Sequence, residues 1–171
     1  QLEVNTTLKE IELNEVQITS RGFVALFESL KKNTCLEKIS ISGNTVTTKC
    51  LEYFAELLRE NTALEVIGMS QCGITDEACQ FIAEGIANNS TMSELDISGN
   101  HISYTGAILL LDAIQGNYSL MKLDYSSNDF LNPDDQSIPN KIADFLERNN
   151  YYQHNTLMKD MASLANDDTF F

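Results

Sequence analysis

Positive charge is scarce in this chain: 11 lysines and arginines stand against 25 aspartates and glutamates, a formal charge of −14 over 171 residues. That balance excludes nucleic acid and anionic membrane as partners, because both are repelled, and it favours proteins with basic surfaces. Long apolar runs are missing as well. No stretch approaches the roughly 20 residues needed to cross a bilayer, and Gln1-Leu2-Glu3-Val4 lacks the basic start of a secretory leader. An intracellular, cytoplasmic location is the expectation that follows. The four cysteines form no C-x-x-C pair, and His101 and His154 lie far from any cysteine pair, so neither a zinc site nor a disulfide framework is expected. GxxxxGK[ST], GxGxxG after a strand, HExxH and an EF-hand loop are all absent, and with them the usual grounds for a cofactor or metal.

What the chain does have is a period. A 28-residue unit recurs at 5–32, 33–60, 61–88 and 89–116, and a looser fifth copy covers 117–150. Each opens with Asn (Asn5, Asn33, Asn61, Asn89, Asn117). In register, the copies give three apolar columns: Leu8, Leu36, Leu64, Met92, Leu120; Ile11, Ile39, Ile67, Leu95, Leu123; and Leu13, Ile41, Met69, Ile97, Tyr125. The second and third columns alternate with period two, the signature of a half-buried strand. A fourth column, Ile18, Val46, Ile74, Ile102 and Phe130, marks the loop. Then Phe23, Leu26, Phe27 and Leu30 in the first unit, and Cys79, Ile82, Ala83 and Ile86 in the third, follow i, i+3, i+4, i+7 spacing, one stripe of a short helix. A strand and helix this short cannot bury both apolar faces alone, so the units must stack on one another. The expected fold class is α/β, a solenoid with a parallel sheet inside and helices outside.

This pattern resembles the leucine-rich repeat family. Its motif L-x-x-L-x-L-x-x-N-x-L is matched by Leu36, Ile39, Ile41, Asn44 and Val46, and again by Met92, Leu95, Ile97, Asn100 and Ile102. The 28-residue length with a full helix resembles the ribonuclease-inhibitor-like subclass. The resemblance implies a horseshoe with the sheet on its concave face. It also implies a range of protein-binding roles: inhibitors, innate-immune receptors, actin regulators of the tropomodulin kind and secreted bacterial effectors, the last delivered into a host cell.

Repeat slots explain most of the notable side chains. Asn44, Asn100 and Asn128 share a slot with Cys72 and Val16 at the bend after the strand; a buried amide there must hydrogen-bond to backbone of the neighbouring repeat. Cys72 can serve as a weak donor, whereas Val16 cannot, so the first unit is expected to lack a rung. Cys35, Cys50, Cys72 and Cys79 all fall at repeat positions and are expected to be buried free thiols.

The ends depart from register. Leu2 falls on the Leu30 column, so residues 1–4 read as the end of a preceding repeat and the chain as a piece of a longer solenoid. In the fifth unit Asn132-Pro133-Asp134-Asp135 reads as a turn-forming insertion before Ile142, Phe145 and Leu146 resume the helix stripe. Leu157, Met158, Met161 and Leu164 then share a helical face, and 151–171 is expected to form a capping helix and tail that closes the stack. The rival expectation for this tail is a helix that docks a partner.

Strand side chains between the core columns point to the concave surface. They form three rows: Glu10, Lys38, Val66, Glu94, Lys122; Glu12, Ser40, Gly68, Asp96, Asp124; and Asn14, Ser42, Ser70, Ser98, Ser126. These positions, Gly68 apart, are the candidate partner-binding surface. Five strands about 4.8 Å apart give a strip only ~20 Å long, so adjacent loops must contribute to any standard interface.

Three catalytic readings compete with binding. Asp96, Ser98 and His101 are close in sequence, but the first two lie along one strand and His101 beyond its bend. Asp96 and Asp124 are lateral neighbours that could suit paired-carboxylate chemistry or a cation. Finally, the resemblance extends to GTPase-activating proteins for Ran, and Thr19-Ser20-Arg21-Gly22 puts an arginine in a loop where it could stabilise phosphoryl charge. The leading expectation is a non-enzymatic protein-interaction module with no catalytic residues. A regulator of a small GTPase is second, and a scaffold that self-associates through its open N-terminal edge is third.

Overall fold

The structure, a computed structural model, describes residues 1–130 and 135–167, with side-chain surroundings through 159. After a 3-10 turn at Leu2–Val4, strands and helices alternate: β1 (Glu10–Glu12), α1 (Ser20–Lys32), β2 (Lys38–Ser40), α2 (Thr48–Glu60), β3 (Val66–Gly68), α3 (Asp76–Asn88), β4 (Glu94–Asp96), α4 (Tyr104–Gly116), β5 (Lys122–Asp124) and α5 (Ser137–Asp167). The strands pair in chain order, all parallel. Ile11 faces Ile39, Ile39 faces Ile67, Ile67 faces Leu95 and Leu95 faces Leu123, so the sequence period is also the sheet register. The parallel-sheet solenoid with helices on its convex side is the architecture that the period predicts.

The columns meet in one continuous core. Leu36, Leu64, Met92 and Leu120 are fully buried, as are Ile41, Met69 and Ile97. On the helix side Phe23 stacks on Phe27, with ring centroids 5.7 Å apart, and Phe27 meets Phe54 at 5.6 Å. All four cysteines are buried and unbridged. Burial pushes the Cys72 thiol up to about 11 and the Cys79 thiol to about 12.

Each unit reverses direction in the same way. Glu15, Gly43, Gln71, Gly99 and Ser127, one per repeat, have left-handed backbone with φ between +52° and +69°. The amide of Asn44 donates to the carbonyls of Leu13 and Ile41, both at 2.8 Å, and its oxygen accepts from the Ile18 N–H at 3.0 Å. Asn100 and Asn128 repeat the pattern two and three units further on. Cys72 donates weakly to the Ile41 carbonyl, and Val16 sits half exposed, so the first unit does lack its rung. The two units without this Asn carry a second left-handed residue, Gln17 and Gly73, two positions after the first.

A second asparagine ladder closes each helix. Asn33, Asn61, Asn89 and Asn117 are buried C-caps where the backbone turns extended. Asn61 is typical: its Nδ2 donates to the carbonyls of Leu30, at the end of the first unit, and Asn33, at the start of the second, and its Oδ1 accepts from the N–H groups of Ala63 and Leu64.

The C-terminal boundary differs from expectation. The helix does not end near Asn150 but runs unbroken from Ser137 to Asp167. Its first half covers the last repeat through Ile138 and Ile142, with Phe145 and Leu146 packed alongside. Beyond Asn150 the apolar side chains Tyr151, Tyr152, Leu157 and Met158 are each more than half exposed, and Tyr152 meets Tyr118 edge-on with ring centroids 5.5 Å apart. Burial is not described for Met161 and Leu164, and three of the four insertion residues, 132–134, lie outside the described residues.

Candidate protein-interaction surface

All fourteen sequence-expected surface residues lie on the strands or just beyond them, in three rows across the sheet. The first row is internally paired. Lys38 binds Glu10 at 2.6 Å, which raises its pKa, and Lys122 binds Glu94 at 3.0 Å; Val66 sits between the two pairs. These exposed pairs contribute little to stability, typically ~0–1 kcal/mol each. Their consequence is that neither lysine offers a free cation.

The other two rows split along the solenoid. Toward the N-terminus, Ser40 Oγ donates to Asn14 Oδ1, Ser42 N–H reaches the same oxygen at 3.0 Å, and Ser42 Oγ accepts from the Ser70 N–H at 3.1 Å. That half is satisfied within itself. Toward the C-terminus, Asp96 Oδ1 accepts from the Ser98 N–H at 2.9 Å and Asp124 Oδ1 from the Ser126 N–H at 3.0 Å. Asp124 is held below the usual carboxylate range, chiefly by that backbone bond. A carboxylate pair that shares a proton needs one member raised instead, and Asp124 is moved in the other direction. Gly68 lies at the junction of the halves, and a Cβ there would come 2.8 Å from Ser40 Oγ.

A shallow groove of about 240 Å³ crosses the middle of this face. Its lining holds four carboxylates, Glu12, Glu94, Asp96 and Asp124, against the two lysines already in ion pairs. A larger recess, about 510 Å³, lies off the sheet between the loops after α3 and α4, where Asn88, Tyr118 and Gln153 line it without a carboxylate, thiol or imidazole.

The remaining readings separate in space. Asp96 Oδ1 is occupied by the Ser98 backbone, while His101 faces Asp129 at 3.9 Å, both exposed. Among the described residues no three His, Cys, Asp or Glu side chains converge as a metal site. Arg21 is not in a loop: Thr19 caps α1 by accepting from the Gly22 N–H at 3.2 Å, which places Arg21, exposed, in the first helical turn. No described helix is long and apolar enough to cross a membrane.

Residues 88–111 match the family model described as Leucine Rich repeat. Curated proteins yield no sequence match. Among solved structures, the chain is similar to one titled Leiomodin-1 Actin-Binding Site 2, with a TM-score of 0.81, 19% identity, and coverage of 91% of this chain and 88% of that one. It is also similar to the tropomodulin C-terminal domain from Caenorhabditis elegans, with a TM-score of 0.76, 20% identity, and 92% of each chain covered. At these identities the likeness is one of fold.

Proposed function

We propose that this leucine-rich repeat chain, of the ribonuclease-inhibitor-like kind, is a non-enzymatic protein-interaction module acting inside the cell. Its concave face and adjoining loops take a protein that presents basic side chains. The observation behind this reading is the groove at β1–β5, where four carboxylates meet only two lysines and both lysines are already paired. A partner's arginine there meets Asp96 and Asp124, each anchored by one oxygen. Charge-assisted contacts of that kind fix register and orientation as well as adding affinity. The small residues Ser40, Gly68 and Ser70 leave room for the partner's side chains.

The leiomodin-1 chain is described as an actin-binding site, which makes monomeric actin the first protein to test. Fluorescence anisotropy of labelled actin, titrated with the wild-type chain and with Asp96→Lys/Asp124→Lys, separates the possibilities. Binding that the variant loses supports both partner and face. Binding that persists in the variant removes the concave site, and no binding at all removes actin. Self-association through β1 is disfavoured by its own charges, since Glu10 and Glu12 flank Ile11 on that edge and carboxylates on an edge strand oppose edge-to-edge pairing.

A further inference from the structure

We propose a second docking site of opposite preference, in the recess between the starts of α1 and α2, which takes an acidic peptide segment carrying apolar side chains. The recess measures about 340 Å³ and is lined by Arg21, Val24, Lys49, Cys50 and Tyr53, among others, with no acidic residue. In a chain of charge −14, that is a local inversion of sign.

The cations here are also unspent. Of the nine other cations, Lys9, Lys31, Lys32, Lys38, Arg59 and Lys122 sit in ion pairs and Arg148 donates to the carbonyls of Ile114, Gln115 and Asn117, which leaves Lys141 and Lys159, both on α5 and away from this recess. Arg21 and Lys49 are exposed, and among the described residues neither has a carboxylate within salt-bridge distance. They occupy the same slot in successive repeats, so stacking sets them side by side; the third and fourth repeats place Glu77 and Thr105 there, which confines the feature to α1 and α2.

The walls select what the cations attract. Cys50 is buried and Val24 and Tyr53 are half-buried, so the floor beneath the charged rim is apolar. A free anion leaves that floor wet. A peptide with an apolar side chain covers it, gaining about 25 cal/mol for each Å² removed from water, while its flanking carboxylates reach a fork-shaped guanidinium and an ammonium. A nucleic acid polyanion extends well past the ~8 Å screening length at physiological salt and meets the repulsive field of the rest of the chain.

The test is titration of the ¹⁵N-labelled chain with the capped hexapeptide Ac-Glu-Asp-Leu-Phe-Asp-Glu-NH₂, followed by amide chemical shifts. The site predicts shifts at Gly22, Val24, Lys49 and Tyr53. It also predicts a loss of affinity of roughly tenfold in Arg21→Glu/Lys49→Glu, with unchanged thermal stability because acidic residues suit a first helical turn. Replacing Leu-Phe by Ser-Ser in the peptide weakens binding several-fold, and Asp96→Lys/Asp124→Lys leaves it unaltered. The proposal is overturned if the peptide does not bind, if its shifts map elsewhere, if the charge-reversed variant binds equally well, or if the Ser-Ser peptide binds as tightly.

Discussion

Replacing Asn61 by alanine separates inter-repeat bonding from local turn formation. Asn61 donates to the Leu30 carbonyl at 2.7 Å and the Asn33 carbonyl at 2.9 Å, and accepts from the Ala63 and Leu64 N–H groups at 2.8 and 2.7 Å. The side chain is buried, so truncation strands three backbone groups, the Asn33 carbonyl and the Ala63 and Leu64 N–H groups, while the Leu30 carbonyl keeps the Asn33 N–H. A stranded buried group costs about 1–3 kcal/mol; if water recovers some of them, the loss is about 3–5 kcal/mol, a large share of the 5–15 kcal/mol typical of a domain. Asn5 is the internal control. It makes the same two acceptor bonds, to Thr7 N–H at 3.1 Å and Leu8 N–H at 2.8 Å, but at an exposed site and with no donor bond to an earlier unit. Asn5→Ala is therefore expected to cost about 1 kcal/mol or less. Urea unfolding followed by circular dichroism at 222 nm measures both. At a slope of about 2 kcal/mol/M, Asn61→Ala moves the midpoint down by roughly 1.5–2.5 M. If the two variants differ by less than about 1 kcal/mol, the ladder does not hold the repeats together.

Gly106→Ala should destabilise by about 1–3 kcal/mol, because a Cβ there lies 2.6 Å from Asp76 Oδ1 and 2.9 Å from Cys79 Sγ and forces α4 off α3; an unchanged melting temperature contradicts that packing. Gln71→Gly should act in the opposite sense and stabilise by about 0.5–1 kcal/mol, since Gln71 holds φ +52° in the slot that Gly43 and Gly99 fill; a fall in the melting temperature refutes it. With Cys72 pushed up to about 11 and Cys79 to about 12 from an ordinary 9.0, unfolded thiols ionise first. Their contribution to stability is complete below pH 9 and drains away as pH rises toward 11 for Cys72 and toward 12 for Cys79. Thiolate absorbance at 240 nm should accordingly show at least two thiols un-ionised in the native chain at pH 10, and ionisation of all four there would count against their burial.

The sheet register was legible because identical spacing recurs five times, and a parallel stack can satisfy that spacing in only one way. The three surface rows followed from the period-two alternation of the strands. Other features were hidden by chemistry that the columns do not display. The opening Asn of each unit looked like punctuation, yet Asn33, Asn61, Asn89 and Asn117 form a second ladder whose acceptors are backbone carbonyls, which sequence does not mark. The left-handed slot was masked because Glu15, Gln71 and Ser127 share it with two glycines. The continuation of the helix past Asn150 was hidden for a related reason. Asn149 reaches the Asn117 and Leu120 carbonyls from within a continuing helix, so the repeat's Asn does not end the helix as it does in the earlier units. At the surface, the row positions were readable, but not which carboxylates lysine would neutralise or that Arg21 and Lys49 would share one recess.

In the proposed function the basic partner is taken on the concave sheet rather than on the outer face of the helices. A photo-crosslinking residue placed at Ser98, in the C-terminal half of that face, or at Glu84, exposed on α3, tests it in one measurement. The account predicts one protein crosslinked from position 98, displaced by excess wild-type chain, and absent from position 84. Capture of that protein equally from both positions, or from 84 alone, would contradict it.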